Sequence, residues 1–236
     1  MHHIHVDQWS QGSSPLHARD PRAKIAALLA FLIVLATTAP NATVALTIYS
    51  ALLISGILIA GLPLPGLLFR AMAVLPFSLT FGLLSWLAGD PWRAIGLVEK
   101  SYLSSVAVLL MIGTTSLAAL LRGLERLGTP RMLVLVTQFL YRYLFVISEQ
   151  AQHMRLAAAS RTGNPRIHRK GRFRAAAGAL AVLFARSYYR AEGIHRAMAA
   201  RAFTGTFPLL RTLRFSITDG VFVVATLAFL ILVRVQ

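Results

Sequence analysis

The sequence predicts an all-α membrane protein: about five transmembrane helices, with two long amphipathic cytoplasmic helices inserted before the last span. Three observations predict it. First, 56 % of the 236 residues are hydrophobic and only 14 % are charged, against about 25 % charged in ordinary soluble domains. That balance excludes a disordered chain and argues against a soluble globule. Second, the apolar residues fall in uncharged runs close to the ~17–25 residues that cross a bilayer. Third, 24 Lys and Arg face 8 Asp and Glu, a net charge of +16 with a pI of about 11.6. A nucleic-acid binder can share that pI, but it does not alternate its basic residues with spanning stretches. The charge therefore belongs to cytoplasmic segments. There is no cysteine, so disulfides, thiolate metal sites and cysteine nucleophiles are excluded. No basic-then-apolar leader with a small-residue cleavage site opens the sequence.

The elements follow in order, and they divide the chain into residues 1–121, 122–214 and 215–236. Residues 1–121 hold a cytoplasmic N-terminal segment and four transmembrane helices. His2, His3 and His5 offer imidazoles suited to square-planar nickel or copper, yet a terminal tail supplies nothing to hold them, and a solvated tail is the expectation. The first span is Ile25–Ala39, after Arg22 and Lys24 and before Pro40-Asn41. Ala42–Leu62, Ala71–Leu87 and Ser101–Leu121 are the next three, with a kink expected at Pro76. Residues 215–236 hold the fifth, Ile217–Val233, apolar except for Asp219.

Met132–Ile147 is apolar enough to pass for a sixth span, but Arg142 lies inside it, and an Arg at mid-bilayer costs about 2.5–3.5 kcal/mol to insert. Charge asymmetry decides. Arg19, Arg22 and Lys24 precede the first span and residues 37–41 after it are uncharged, so the N-terminus is cytoplasmic and four spans return the chain inside. Residues 122–214 then carry 17 of the 24 basic residues and only three acids. Were Met132–Ile147 to cross, the basic residues from Arg155 to Arg174 would land outside, against the positive-inside bias. The segment is expected to stay inside.

That cytoplasmic insertion reads as two helices. Residues 131–160 contain no Gly or Pro and would make a rod about 45 Å long. At 100° per residue Gln138, Arg142, Glu149, Gln152, His153 and Ser160 fall on one polar stripe. Thr162-Gly163-Asn164-Pro165 stops the helix and the basic run Arg166–Arg174 connects to a second, over about Arg174–Arg201. On it Leu180, Phe184, Ala191, Ile194 and Met198 form an apolar stripe, and Arg186, Arg190 and Arg201 lie within about 60° of one another. The wide apolar faces must bury on each other, on the membrane underside or on a partner.

Enzymatic chemistry is missing from the sequence. It has no GxxxxGK[ST], HExxH or GxSxG, and no acidic residue is expected at the centre of a span, where ion-coupled transport needs one. The chain is therefore expected to be a non-catalytic subunit with no cofactor or metal of its own.

Several ordered pieces resemble a known family. Ser14-Pro15-Leu16-His17-Ala18-Arg19-Asp20-Pro21-Arg22-Ala23-Lys24 resembles the cytoplasmic entry to the first span of the transmembrane (T) component of energy-coupling factor (ECF) ABC transporters. Leu127-Gly128-Thr129-Pro130, Tyr141-Arg142-Tyr143 and Glu149 resemble its first long cytoplasmic helix. Arg186-Ser187, Arg190-Ala191-Glu192, Ala197-Met198 and Ala200-Arg201 resemble the second. The resemblance is to the CbiQ-like branch, which serves cobalt or nickel, and covers about residues 10–210. It implies partners: two ABC-type ATPases that bind ATP, and a CbiM-like membrane subunit, with or without a CbiN-like one, that binds Co2+ or Ni2+. It implies that the two long helices are coupling helices ending in an Ala-Arg-Gly-like triplet whose Arg enters an acidic groove on an ATPase. The matching triplets are Ser160-Arg161-Thr162 and Ala200-Arg201-Ala202, both lacking the terminal Gly, with Arg142, Glu149, Arg186, Arg190 and Glu192 in support. It implies the inner (plasma) membrane as the location. A T component for a vitamin such as biotin, and a polytopic enzyme acting on an anionic substrate, are the alternatives.

Overall fold

Asp20 fixes where the first helix begins. Its backbone is extended and its carboxylate accepts the Arg22 N–H at 2.9 Å, while Pro21 takes the first helical position, where a missing N–H costs nothing. Helix α1 (Pro21–Thr37) follows. The computed structural model describes residue 9, residue 12 and residues 14–161, 169–205 and 216–235, and the described elements are all helical. His2, His3 and His5 lie outside the described residues.

After α1 come α2 (Thr43–Ala60), α3 (Leu64–Ala71), a 3-10 turn at Met72–Val74, α4 (Leu75–Leu87), α5 (Pro91–Thr114) and α6 (Leu117–Arg126). Then come α7 (Arg131–Arg161), α8 (Arg169–Ala200) and α9 (Ile217–Val235). The chain divides into two units, one comprising Met1–Val134 with Leu213–Gln236, the other Leu135–Thr212.

In the first unit α1 packs against α5, α6 and α9, and α2 against α5. The core holds Phe31, Leu35, Leu46, Tyr49, Ile57, Leu67 and Leu230, with the Phe31 ring edge-on to Tyr49 at 5.8 Å. Two glycines allow close passage. A Cβ at Gly96 would stand 3.0 Å from Pro40 Cβ, and one at Gly123 would stand 3.1 Å from Pro21 Cβ.

The boundaries differ from the expected spans for identifiable reasons. The first helix starts at Pro21, four residues early, because Asp20-Pro21 is itself a helix start. Lys24 is consequently inside it, where burial is offset by hydrogen bonds to Thr114 O at 2.8 Å and Thr115 Oγ1 at 3.0 Å. The third is an interrupted helix beginning at Leu64. Pro76 has no N–H for the Met72 carbonyl, and the turn tightens there. The fourth is Pro91–Thr114, not Ser101–Leu121. Asp90-Pro91 starts it, and Ser116, accepting the Ala119 N–H, starts α6 as a separate helix. This places Glu99 and Lys100 inside a spanning helix, where the expected bounds of the fourth span had left both outside. The second half of the basic connector, from Arg169, is already helical.

Five described helices are long and apolar enough to cross a membrane: α2, the α3–α4 pair, α5, α7 and α9. The chain is an all-α, multi-pass membrane protein. Helix α1, at 17 residues, is about 26 Å long and packs in the same bundle, leaving Leu29 and Ile33 exposed on its outer face. Helix α7 qualifies by length and composition, whereas the charge asymmetry of the sequence predicts that it does not cross.

One end of the first unit carries a polar latch. Asp219 Oδ2 accepts the Ser216 N–H at 3.0 Å, capping its own helix, while Oδ1 accepts the Asp20 N–H at 3.3 Å. Arg19 lies 3.8 Å from Asp219 and Arg22 lies 3.9 Å from Asp20. With Lys24 on Thr114 and Thr115, the starts of α1 and α9 and the end of α5 share one level. Trp9 lies at this end too, its ring 4.2 Å from the Arg70 guanidinium and its carbonyl bonded to His17 Nε2 at 2.9 Å.

Candidate functional site

In the second unit one face of each long helix lines a shared cavity. On α7, Val136, Phe139, Leu140, Tyr143 and Ile147 recur at helical spacing, and on α8, Ser187, Arg190, Ala191 and Ile194 do the same. These residues line a shallow cavity of about 290 Å³ between the two helices, and Val136, Leu140, Ile147 and Ala191 among them stay exposed. Ala191 and Ile194 of the expected apolar stripe are used here. Leu180 and Phe184 are not, and stay exposed with Phe173, Tyr188 and Tyr189. On α7, Leu144 and Leu156 are likewise exposed.

The supporting residues distribute around this cavity. Arg190 lines the cavity and is half-buried. Arg142 is exposed, its guanidinium 5.9 Å from the Tyr143 ring, and Tyr143 stacks on Phe139. Arg186 is exposed. Glu149 pairs with His153 at 3.8 Å and Glu192 pairs with Arg196, each one turn along its own helix. Both acids of the two helices are thus occupied locally, and neither neutralises a helix end.

Those ends carry the two arginines. Tyr143 to Arg161 is 18 residues of α7, an arm of about 27 Å, and Ala191 to Arg201 is about 15 Å. Ser160 Oγ donates to Ala157 O at 3.0 Å, and Arg161, exposed, is the last residue of α7. Thr162 lies outside the described residues. At the other end Ala202 N–H donates to Ala199 O at 3.0 Å and Phe203 N–H to Met198 O at 3.0 Å, the paired bonds that close a helix around a left-handed residue. Ala202 is that residue, with φ of 51°. The loss of glycine from the triplet has therefore not abolished the cap, which leaves Arg201 exposed just beyond the last turn. No ion pair reaches Arg161 or Arg201 among the described residues. Both helix ends also concentrate partial negative charge from their free carbonyls, so an unpaired cation is favourable there and remains open to a carboxylate from outside the chain.

Neither Arg161 nor Arg201 lines the cavity between the helices; each lies at its own helix end, which suits two contacts rather than one binding pocket. Sequence reasoning missed the cavity between the helices, for which the Ser187–Ala191 spacing is the available signal. It also missed Glu99, hidden by placing the fourth span ten residues late.

Comparison with known proteins bears on the whole chain. Residues 12–212 match the family described as cobalt transport protein, CbiQ. The cobalt transport protein CbiQ of Rhodobacter capsulatus is 32 % identical over 190 residues, covering 75 % of this chain and 76 % of that protein. An uncharacterised protein of Methanocaldococcus jannaschii is 29 % identical over 107 residues, covering 45 % of this chain and 39 % of that one.

Proposed function

This chain belongs to the CbiQ family of cobalt transport proteins, and from that premise we propose that it is the T component of an ECF-type importer, coupling ATP hydrolysis by two partner ATPases to cobalt uptake through a partner membrane subunit. The observation that carries the proposal is the pair of long helices, each ending in an exposed arginine that no ion pair reaches among the described residues. Cobalt is cargo here. It is bound by a CbiM-like subunit, with or without a CbiN-like one, while ATP is bound by the ATPases. The membrane is the cell's inner membrane, with the N-terminus in the cytoplasm. Nickel would use the same scaffold, since no feature of α7 or α8 addresses the cargo.

The mechanism is mechanical. Each guanidinium presents a fork of N–H donors that matches a carboxylate, so each helix end grips one ATPase. When the ATPases move, the helix ends move with them. A helix is stiff along its axis, and α7 and α8 share the cavity lined by Tyr143 and Ile194, through which the displacement of one arm reaches the other. The exposed Leu, Phe and Tyr side chains along both helices supply the apolar part of the contacts.

The test is charge reversal. Breaking a partly desolvated pair costs about 2–5 kcal/mol of association, at least about thirty-fold in retention. Arg161→Glu and Arg201→Glu should each weaken recovery of the ATPases with the chain, and the double variant should lose both ATPases and cobalt uptake while still inserting normally. Arg169→Glu and Arg172→Glu, which change the net charge equally, serve as controls. Equal loss in the controls would reduce the insertion to a diffuse cationic surface and overturn the coupling role.

A further inference from the structure

Helices α1, α2, α5 and α9 leave a cavity of about 220 Å³ between them, beside the latch. Its floor is Phe31, Leu53 and Ala107, all buried. Its rim is Ser55 and Ile59 of α2, both exposed, with Phe222 and Thr226 of α9, both half-buried. The cavity therefore opens sideways between two helices that meet the length and composition of membrane spans. Its walls are carbon, and their hydroxyls are engaged: Ser55, Thr114 and Thr226 each donate to a carbonyl of their own helix. Lys24 is the exception. It is 6 % exposed and lines the same cavity.

An ammonium has three protons to donate, and Lys24 gives two, to the Thr114 carbonyl and the Thr115 hydroxyl. Among the described residues no third hydrogen bond and no ion pair reaches it. The latch leaves a positive charge over, since Arg19, Arg22 and Lys24 stand against Asp20 and Asp219, which pair with the two arginines. The level of the ammonium is set by Thr115, the first residue past α5. That helix, at 24 residues, is about 36 Å long, more than the ~30 Å hydrocarbon core, so its end reaches the headgroups. We propose that the cavity holds one acyl chain of an anionic phospholipid from the leaflet at the latch face, with its phosphate on the Lys24 ammonium. A transmembrane helix does not fit, because one turn with its side chains fills roughly 500 Å³. Water would solvate the ammonium but leave the carbon walls facing it. A zwitterionic lipid would fill the walls but bring a cation of its own to Lys24. An anionic lipid satisfies walls and charge at once.

The test uses the full chain in vesicles of phosphatidylcholine and phosphatidylglycerol, with a photoreactive group on the acyl chain of one lipid or the other. The phosphatidylglycerol probe should label cavity residues such as Leu28 and Phe222 about five-fold more than the phosphatidylcholine probe, the factor one basic residue adds beside an anionic headgroup. Lys24→Met should abolish that preference while the cavity is still labelled. Ser55→Phe sets a ring in the mouth from an exposed position and should lower labelling of Phe222 by both probes at least ten-fold. Thr47→Phe adds the same bulk at an exposed position of α2 outside the cavity and should stay within two-fold of the unaltered chain. If Lys24→Met does not fold, the preference of the unaltered chain and its response to Ser55→Phe decide the matter. Equal labelling by the two probes, or labelling unchanged by Ser55→Phe, would overturn the inference. So would displacement of the phosphatidylglycerol probe by an equal amount of free fatty acid, which would assign the cavity to a single-chain ligand. Neither cobalt uptake nor ATPase recovery is read, so failure of the coupling role leaves this inference standing, and the reverse holds too.

Discussion

Ala202 occupies a position that three other helix ends of this chain give to glycine. Gly61, Gly89 and Gly128 each have positive φ, and each is followed by an N–H that reaches back five residues to a carbonyl. Glycine does this without steric cost, whereas an L-residue there is strained by roughly 1–2 kcal/mol, partly offset by glycine's larger entropy loss on folding. Ala202→Gly should therefore stabilise the end of α8 by up to about 1 kcal/mol, and amide exchange at residues 201–203 should slow about two- to five-fold. Ala202→Val adds a branched Cβ where the left-handed region excludes it, and should speed that exchange at least about ten-fold and release one ATPase. Unchanged exchange in both variants would mean that the cap does not hold Arg201. This residue also marks how far the sequence could be read. Arg201 is legible from a triplet at the end of a helical pattern. The left-handed cap is not, because an alanine there carries no turn signal.

At the scale of elements, the latch between α1, α5 and α9 joins residues far apart in the chain. Asp219 accepts the Ser216 and Asp20 N–H groups and faces the Arg19 guanidinium at 3.8 Å, in a setting where the Asp20 and Asp219 carboxylates are both buried. Removing one partner from such a cluster leaves the others uncompensated, at about 3–5 kcal/mol. Asp219→Ala should lower the thermal midpoint of the purified protein clearly. Thr226→Ala, which removes only a hydroxyl bonded to Phe222 within the same helix, should change it little. Equal midpoints would show that the latch is not a source of stability. Of these elements, α2, α7, α8 and α9 were close to legible because their apolar patterns are long and end in clear stops. The start of α1 lay in plain view at Asp20-Pro21 but was overruled by the charges of Arg22 and Lys24. Local pattern treats a lysine as a boundary. The structure buries Lys24 by giving it Thr114 and Thr115, about 90 residues away, and no local pattern contains that pairing.

For the whole molecule, the latch constrains topology through counting. Asp20 and Asp219 are in contact, so α1 and α9 begin at one face of the membrane, and Lys24 on Thr114 brings α5 to an end at the same face. The chain between Thr115 and Ser216 must then cross an even number of times. Helix α7 could cross alone only if α9 started on the opposite face, which the contact forbids. If α7 crosses, α8 must cross back, carrying Arg174, Arg186, Arg190 and Arg196 with Glu192 through the bilayer, and α8 is not among the helices apolar enough to do so. Both are therefore expected to remain on the side of the N-terminus. Since the chain has no cysteine of its own, single cysteines report this cleanly. Cysteines at positions 12 and 168 should react with an impermeant reagent only after the cells are opened. Cysteines at positions 41 and 89, in the turns at the opposite end of the bundle, should react in intact cells. Labelling of position 168 in intact cells would require both α7 and α8 to be spans. It would remove Arg161 from the reach of cytoplasmic ATPases, so a single accessible residue would overturn the topology and the coupling mechanism together.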